Sequence, residues 1–307
     1  MKRSHMMVLM MVLALPAAAE PVRVPGTGVS LQPPAGFALA EDYPGFQSAE
    51  QQASIMVTQM PAPVAEIRKA MTKDMLATRG ITLLSSKEET VGGREALLLQ
   101  VAQSAAGTDY LKWMLVTGDP KETVMIVGTF PKSAGEEVGA AIRTALLTAS
   151  LAAAAPSDPF EGLLFRITPT QALKIANRVS NMLILTESGK MGTLGPGEPV
   201  YIVGSSIRPG GSGDLKAFSE ARAKQTEQIQ DLENLSGREI TIGGLTAYEL
   251  LADAKDVKSG TAIRLYQVIA PDDDGGYFIV QGLVGADRAA GMLPEFRRVT
   301  ESFRKAD

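Results

Sequence analysis

One stretch of this chain is written twice. Thr90-Val91-Gly92-Gly93-Arg94-Glu95-Ala96 returns as Thr241-Ile242-Gly243-Gly244-Leu245-Thr246-Ala247. The echo continues: Gly107-Thr108 matches Gly260-Thr261, Trp113 matches Tyr266, Gly128 matches Gly282, and Thr148-Ala149-Ser150-Leu151 matches Thr300-Glu301-Ser302-Phe303. The spacing drifts only between 243 − 92 = 151 and 282 − 128 = 154 residues. A near-constant offset with small slips is the mark of a duplicated module carrying loop insertions. The chain of 307 residues is therefore expected to hold two copies of one fold.

The N-terminus reads as an export signal. Lys2 and Arg3 precede an apolar run over residues 6–15, Pro16 ends that run, and Ala17-Ala18-Ala19 offers small residues for cleavage before Glu20. The run is about half the length needed to span a bilayer. The expectation is a signal peptide at 1–19 and a periplasmic or secreted protein without a membrane span after cleavage. The sequence contains no cysteine, and its one histidine, His5, lies inside the signal. A mature chain without either residue excludes Ser-His-Asp and Cys-His catalysis, thiolate or imidazole zinc sites and axial histidine ligation of haem. Carboxylate, lysine and tyrosine chemistry remain open. Removing Lys2 and Arg3 leaves 28 basic residues against 34 acidic ones. No basic patch interleaves with aromatics, so a nucleic-acid partner is not expected.

Residues 152–159, Ala-rich and proline-bearing, read as a linker between a first domain at 20–151 and a second at 160–307. In the first copy, strands are expected at 28–32 and 54–59. A helix with Val64, Ile67, Met71 and Met75 on one stripe should follow, ended by Gly80. The hairpin 83–91/94–103 turns on Gly92-Gly93, and a second joins 109–117 to 122–130. A closing helix is expected to start from a Ser133/Glu136 capping box and to bury Val138, Ile142 and Ala145. The second copy repeats the order. It has strands at 162–168 and 199–205 and an Asp214-capped helix carrying Phe218, Ala221, Gln225, Ile229 and Leu232. Strands at 238–242, 245–252, 261–270 and 277–284 follow, then a helix with Leu293, Phe296, Val299 and Phe303. Pro294 should mark the first turn or a kink. Residues 170–199 depart from the repeat as an insertion. The fold class this predicts is α+β, two tandem antiparallel-sheet sandwiches covered by helices.

The Val-Ser-Leu-Gln-Pro-Pro-Ala-Gly-Phe run at 29–37 and the Ser-Leu and Ser-Phe endings (Ser150-Leu151, Ser302-Phe303) resemble the PsbP-like family, which includes PsbP, the Ran-binding Mog proteins and DcrB-like exported proteins. The resemblance covers the first copy and the second from about residue 199. It implies a binding or assembly module and transfers no catalytic residue.

Candidate sites are sparse. Asp272-Asp273-Asp274-Gly275-Gly276 lacks the spacing of a calcium loop and reads as a solvated turn. The loop at 209–214 lacks the Gly-Lys-Ser/Thr ending of a phosphate loop. Glu88-Glu89 and Glu136-Glu137 are adjacent in sequence, so neither pair shares a face. Tyr110 and Trp113 lie on opposite faces of one strand. With Lys112 and Tyr266 they form the candidate partner-binding set, against shared core packing as the plainer reading of Trp113 and Tyr266. No catalytic, cofactor-binding or metal residue is assigned, and no cofactor. The expected function is a non-enzymatic binding or assembly protein of the cell envelope, using a sheet face or the cleft between copies. Its partner is an unknown protein or small ligand. The alternatives are a carboxylate hydrolase, needing an acidic pair across a groove, and a chaperone-like factor, needing an apolar groove lined by both copies.

Overall fold

The computed structural model describes residues 20–152, 158–192, 194–207, 213–273 and 275–306. The expected signal peptide, the centre of the expected linker and most of the 209–214 loop lie outside them.

Two seven-stranded antiparallel sheets dominate the described residues, with a few short helices. The N-terminal half runs β1 (Val22–Arg23), β2 (Val29–Leu31), β3 (Ala38–Leu39), β4 (Gly45–Ser48), β5 (Ala53–Met60), α1 (Val64–Lys69), α2 (Lys73–Ala77), β6 (Thr82–Val91), β7 (Arg94–Ala105), β8 (Thr108–Gly118), β9 (Thr123–Pro131), α3 (Gly135–Leu147) and β10 (Ser150–Leu151). The C-terminal half runs β11 (Phe165–Arg166), β12 (Lys174–Val179), β13 (Met182–Thr186), β14 (Val200–Ser205), α4 (Leu215–Ala223), β15 (Ile229–Ile242), β16 (Leu245–Asp256), β17 (Ala262–Pro271), β18 (Tyr277–Gly285), α5 (Ala289–Glu301) and β19 (Arg304–Lys305). The sheet orders are β3-β4-β5-β9-β8-β7-β6 and β12-β13-β14-β18-β17-β16-β15, the same path strand for strand. Beside each sheet, the strand after the last helix returns to one near the start: β10 pairs with β2, and β19 with β11.

Helices cover both faces of each sheet. On one face of the N-terminal sheet, Ile55, Val57, Ala96, Leu98, Leu115 and Ile126 pack with Ile142 and Leu146 of α3. On the other, Leu99, Val101 and Met114 pack with Leu76 of α2. A strand buried on both faces reads as a continuous apolar run, which is why Leu97-Leu98-Leu99 shows no alternation. The tight turns at Gly92-Gly93 and Gly243-Gly244 hold φ of 58° and 77°, and 54° and 83°, conformations that glycine adopts without steric cost.

Each closing helix sits on a strand glycine. A Cβ on Gly128 would lie 2.1 Å from Cγ2 of Ile142 in α3, and one on Gly282 2.6 Å from the ring of Phe296 in α5. In the C-terminal half Phe296 fills that seat between Tyr201 and Tyr266, at centroid distances of 5.6 and 5.9 Å. One turn on, Thr300 Oγ1 donates to the Phe296 carbonyl at 2.9 Å and accepts from the Tyr201 and Tyr266 hydroxyls at 2.9 and 3.0 Å. Burial raises both phenols above the ordinary tyrosine value, although Thr300 opposes it, so both stay protonated donors.

Several local expectations are corrected. The helix expected from Val64 to Gly80 is two short helices, because Thr72 Oγ1 accepts from Met75 N–H at 3.4 Å and starts a second one. Its buried anchor is Leu76, while Met75, expected on the apolar stripe, is 46% exposed. Ser133 falls in a 3₁₀ turn and α3 begins after Ala134 without a side-chain cap, so the capping box does not form. Asp214 does cap α4, accepting from Ala217 N–H at 3.0 Å. That helix ends at Ala223 and buries Ser219 and Ala223, and Ile229 and Leu232 belong to β15. Only Phe165–Arg166 is strand within 162–168. Pro294 lies inside α5 rather than in its first turn. Segment 170–199 holds the hairpin β12–β13, which takes the places of β3 and β4 in the strand order.

At 14 residues, β15 is the longest strand, and it forms the margin of its sheet. Its register with β16 shifts twice, around Asp231 and Asn234, whose φ are 53° and 51°. Lys255 Nζ bonds Asp231 Oδ2 at 3.0 Å, and Asn234 Nδ2 donates to Asp253 Oδ2 at 2.8 Å, pinning both irregularities.

The helix seat predicts opposite effects from one added methyl group. Gly282→Ala should destabilise by about 1–3 kcal/mol, because Phe296 has no free space to yield. Gly291→Ala, inside α5 with nothing within 4 Å of the new carbon, should stabilise by roughly 0.5–1 kcal/mol. Urea unfolding of the two variants checks the sign of each.

Candidate functional site

The aromatic and basic positions singled out by sequence do not gather at one place. Tyr110 and Lys112 share a face of β8, where Lys112 Nζ donates to Gln103 Oε1 at 2.7 Å. Trp113 lies on the α3 face, half-buried beside the core cluster, with the Arg143 guanidinium 5.7 Å over its ring. Tyr266 is 0% exposed, on the α5 face of the C-terminal sheet. Trp113 faces Gly128 across β8–β9, and Tyr266 faces Gly282 across β17–β18, so the two occupy matching sheet positions. Both side chains form the wall against which a closing helix rests.

The other sequence candidates are engaged locally. Asp272 Oδ1 accepts from Lys305 Nζ at 2.5 Å and from Asp273 N–H at 2.9 Å, while Asp274 lies outside the described residues. Glu88 pairs with Arg68, and Glu89 with Lys87 and Arg143. Glu136 and Glu137 lie in the first turn of α3. No group of three or more potential metal ligands occurs among the described residues, and no described helix is long and apolar enough to cross a membrane.

A buried carboxylate that sequence reading passed over is Glu249, 4% exposed on β16. Arg297 of α5 holds it bidentately, Nε to Oε2 at 3.1 Å and Nη2 to Oε1 at 3.0 Å, and Arg238 Nε adds a bond of 3.1 Å to Oε1. Burial favours the protonated acid. The Arg297 hydrogen bonds and the two positive charges outweigh it and hold the carboxyl below its ordinary value. Glu249 thus ties α5 to the sheet electrostatically, beside the Phe296 seat.

The feature with binding geometry lies where the two halves meet. The end of β5 runs beside β12, the outer strand of the second sheet. Glu161 bridges the halves: its carboxylate pairs with Arg23 and accepts from Gly26 N–H at 3.2 Å, while its carbonyl accepts from Arg178 Nη1. The Arg178 guanidinium lies directly against Gly26, where a Cβ would come within 2.0 Å of Nη1. Burial lowers Arg178 to about 10, opposed by Glu161 and Asp158, so it remains charged at neutral pH.

Between these elements is a cavity of about 190 Å³. Gly26, Gln59 and Glu122 line it from the first half, and Asn177 and Arg178 from the second, with Asp158 between. The β12–β13 register slips between Ile175 and Asn177, so Ala176 is skipped in the ladder; bulges of this kind commonly re-aim side chains near sites. Among the described residues, Asn177 Nδ2 and Arg178 Nη2 are buried with no hydrogen-bond partner. Leaving such a donor unpaired costs about 1–3 kcal/mol each. A larger groove of about 540 Å³, with Val200, Ile229, Val257 and Leu283 in its wall, is lined by the C-terminal half alone.

No family model matches the chain, and no curated protein matches it. It is distantly similar in shape to solved structures. LpqN of Mycobacterium tuberculosis, involved in cell envelope biogenesis, is 14% identical over 47% of this chain and 83% of that one, with a TM-score of 0.34. The type VI secretion immunity protein TplEi of Pseudomonas aeruginosa is 12% identical over 91% and 97%, with a TM-score of 0.34. The Tle4–Tli4 complex gives 12% over 88% and 97%, also at 0.34.

The Glu249 cluster yields a pH prediction with a definite sign. A carboxyl depressed in the folded state adds stability that is complete above its unfolded pKa, near 4.5, and is lost as pH falls through the lower folded value. Glu249→Gln should therefore cost about 1–3 kcal/mol at pH 7, and the gap to the parent should narrow below pH ~4. Denaturant unfolding at both pH values measures it.

Proposed function

We propose that this chain is an exported, non-catalytic binding or assembly protein of the cell envelope. In this reading it consists of two tandem PsbP-like α+β modules, at 20–151 and 160–307 with a linker at 152–159, and a signal peptide at 1–19. The identical strand orders, the matched helix seats at Gly128 and Gly282 and the spaced sequence echo support the duplication. The charge pattern and apolar run before Glu20 support export. The observation that carries the binding reading is the cavity between the halves, lined by residues of β5 and β12. Pockets formed at the junction of two structural units are the usual place for a ligand.

The hydrolase alternative draws on Glu122 and Asp158, which both line that cavity. Two features weigh against it. Asp158 Oδ1 already accepts from Phe160 N–H at 2.8 Å, and about 190 Å³ falls short of the roughly 300–1,000 Å³ of sites that enclose larger organic ligands. The chaperone-like alternative needs an apolar groove shared by both halves, and the groove of about 540 Å³ is lined by one.

A chain without cysteine offers a clean test. Met60→Cys at the cavity and Leu84→Cys, half-exposed on β6, each carry one benzophenone label. Irradiation in intact envelopes should give a discrete adduct from position 60 and none from position 84. Equal labelling at both, or a discrete adduct from position 84 alone, would reject the cavity as the binding surface.

A further inference from the structure

The groove of about 540 Å³ in the C-terminal half is walled by an addition to the repeated module. Strands β13 and β14 take the places of β4 and β5 in the strand order. Yet β4 and β5 are joined by residues 49–52, and β13 and β14 by residues 187–199. Connections longer than about 12 residues without secondary structure are uncommon in compact domains and usually carry function. This one is fastened to its surroundings. The Gly197 carbonyl accepts from Gly285 N–H at 2.9 Å, Glu198 Oε2 accepts from Gly195 N–H at 3.1 Å, and Glu187 pairs with Arg288, the N-cap of α5. Its last residues, from Leu194 to Glu198, form one wall of the groove.

The floor is the end of the sheet. Val200 of β14 pairs with Leu283 of β18, and Leu283 pairs with Leu265 of β17. Strand alternation puts Ile263 on the face of Leu265. Val200, Leu283 and Ile263 therefore lie side by side on the face that α4 covers further along. In the strand order β18 and β17 fall between β14 and β16, so the β16–β17 turn flanks the floor on the side away from the loop. The start of β15 joins that second wall, with Val257 N–H on the Gln228 carbonyl at 3.1 Å. Val257, in the turn, is 48% exposed. Turns favour small and polar residues for backbone reasons, and the matching connection of the first half is Ala106-Gly107. The valine instead adds apolar surface to the wall.

The charge on the lining is one-sided. Glu198, Glu227 and Asp256 stand against the single ammonium of Lys258. Glu227 is exposed, and among the described residues its carboxylate makes no hydrogen bond or ion pair. Asp256 Oδ1 accepts from the Ser259 hydroxyl at 2.7 Å and from the Ser259 and Lys258 amides at 2.6 and 3.0 Å, which holds its carboxyl below the ordinary value and ionised. No group of three or more potential metal ligands occurs among the described residues, so these acids are too dispersed to hold a metal ion together. An apolar anion would meet repulsion here, and a neutral apolar molecule would gain the floor alone. A volume of about 540 Å³ falls within the roughly 300–1,000 Å³ of small-molecule sites. We infer that the groove binds a small amphiphilic organic cation, its hydrocarbon part on Val200, Ile263, Leu283 and Val257 and its ammonium group at the carboxylate rim beside Glu227. This site is separate from the cavity between the halves and does not depend on it.

Calorimetric titration of the full mature chain with n-octylamine tests the inference. The comparison probes are n-octanoate and 1-octanol, which keep the hydrocarbon and reverse or remove the charge, and methylamine, which keeps the charge alone. Octylamine should bind one to one, and each of the other three about ten-fold more weakly or worse. Val257→Ser and Glu227→Gln, both at exposed positions, should each weaken octylamine about five-fold or more with an unchanged unfolding midpoint. Glu239→Gln, on β15 outside the groove, should change nothing. Octylamine that binds no better than octanoate or octanol, or that binds indifferently to Val257→Ser and Glu227→Gln, overturns the inference. Self-association abolished by Val257→Ser, without octylamine binding, would assign the groove to a second copy of the chain and overturn it as well.

Discussion

The architecture depends on a side chain that is absent. Gly128 and Gly282 each leave a gap in the middle of a sheet, and a closing helix lowers Ile142 or Phe296 into it. Interiors pack at crystal-like density, so such a gap fixes where a helix crosses the strands. Once the helix is placed, the residues after it have little choice of route. They emerge beside β2 or β11 and pair there as β10 or β19. A local absence of volume thereby joins the end of each half to its beginning.

The two seats are stabilised by different chemistry. The first is aliphatic, with Arg143 lying over Trp113 and reaching the accessible Glu89 at the sheet margin. In the second the residue below the helix is Tyr266, a tyrosine–threonine network fills the space, and the arginine of the helix finds the buried Glu249. Moving the carboxylate one strand inward exchanges a solvent-screened contact for a desolvated one. It is acceptable only because two arginines converge there. The halves therefore keep one geometry while differing in how deeply the carboxylate that meets the helix arginine is buried.

Turns and pairings were legible in the sequence because they depend on short-range chemistry. Gly92-Gly93 and Gly243-Gly244 announce hairpins, and alternation places Ile55 and Val57 in the core. Helix limits were less legible. Thr72 competes for the backbone and divides one apolar stripe, and Ile229 and Leu232 fit a helical period yet serve a long strand. Segment 170–199 has diverged in length, which hid the hairpin that fills the places of β3 and β4. The inter-half cavity was not legible at all. Asn177 and Arg178 carry no motif, and their meaning comes from a bulge and from the partner wall, neither of which has a local signature.

The outer strand β15 has a consequence for life at high concentration. A straight fourteen-residue margin would expose a row of unpaired amides and carbonyls, an invitation for a second chain to add itself strand to strand. Asp231 and Asn234 twist that row out of line at two points, and Asp253 and Lys255 lock the twist in place. A copy approaching side-on meets a broken template with carboxylates along it. The irregularity costs ladder bonds within the molecule and makes that margin a poorer template for strand-to-strand addition.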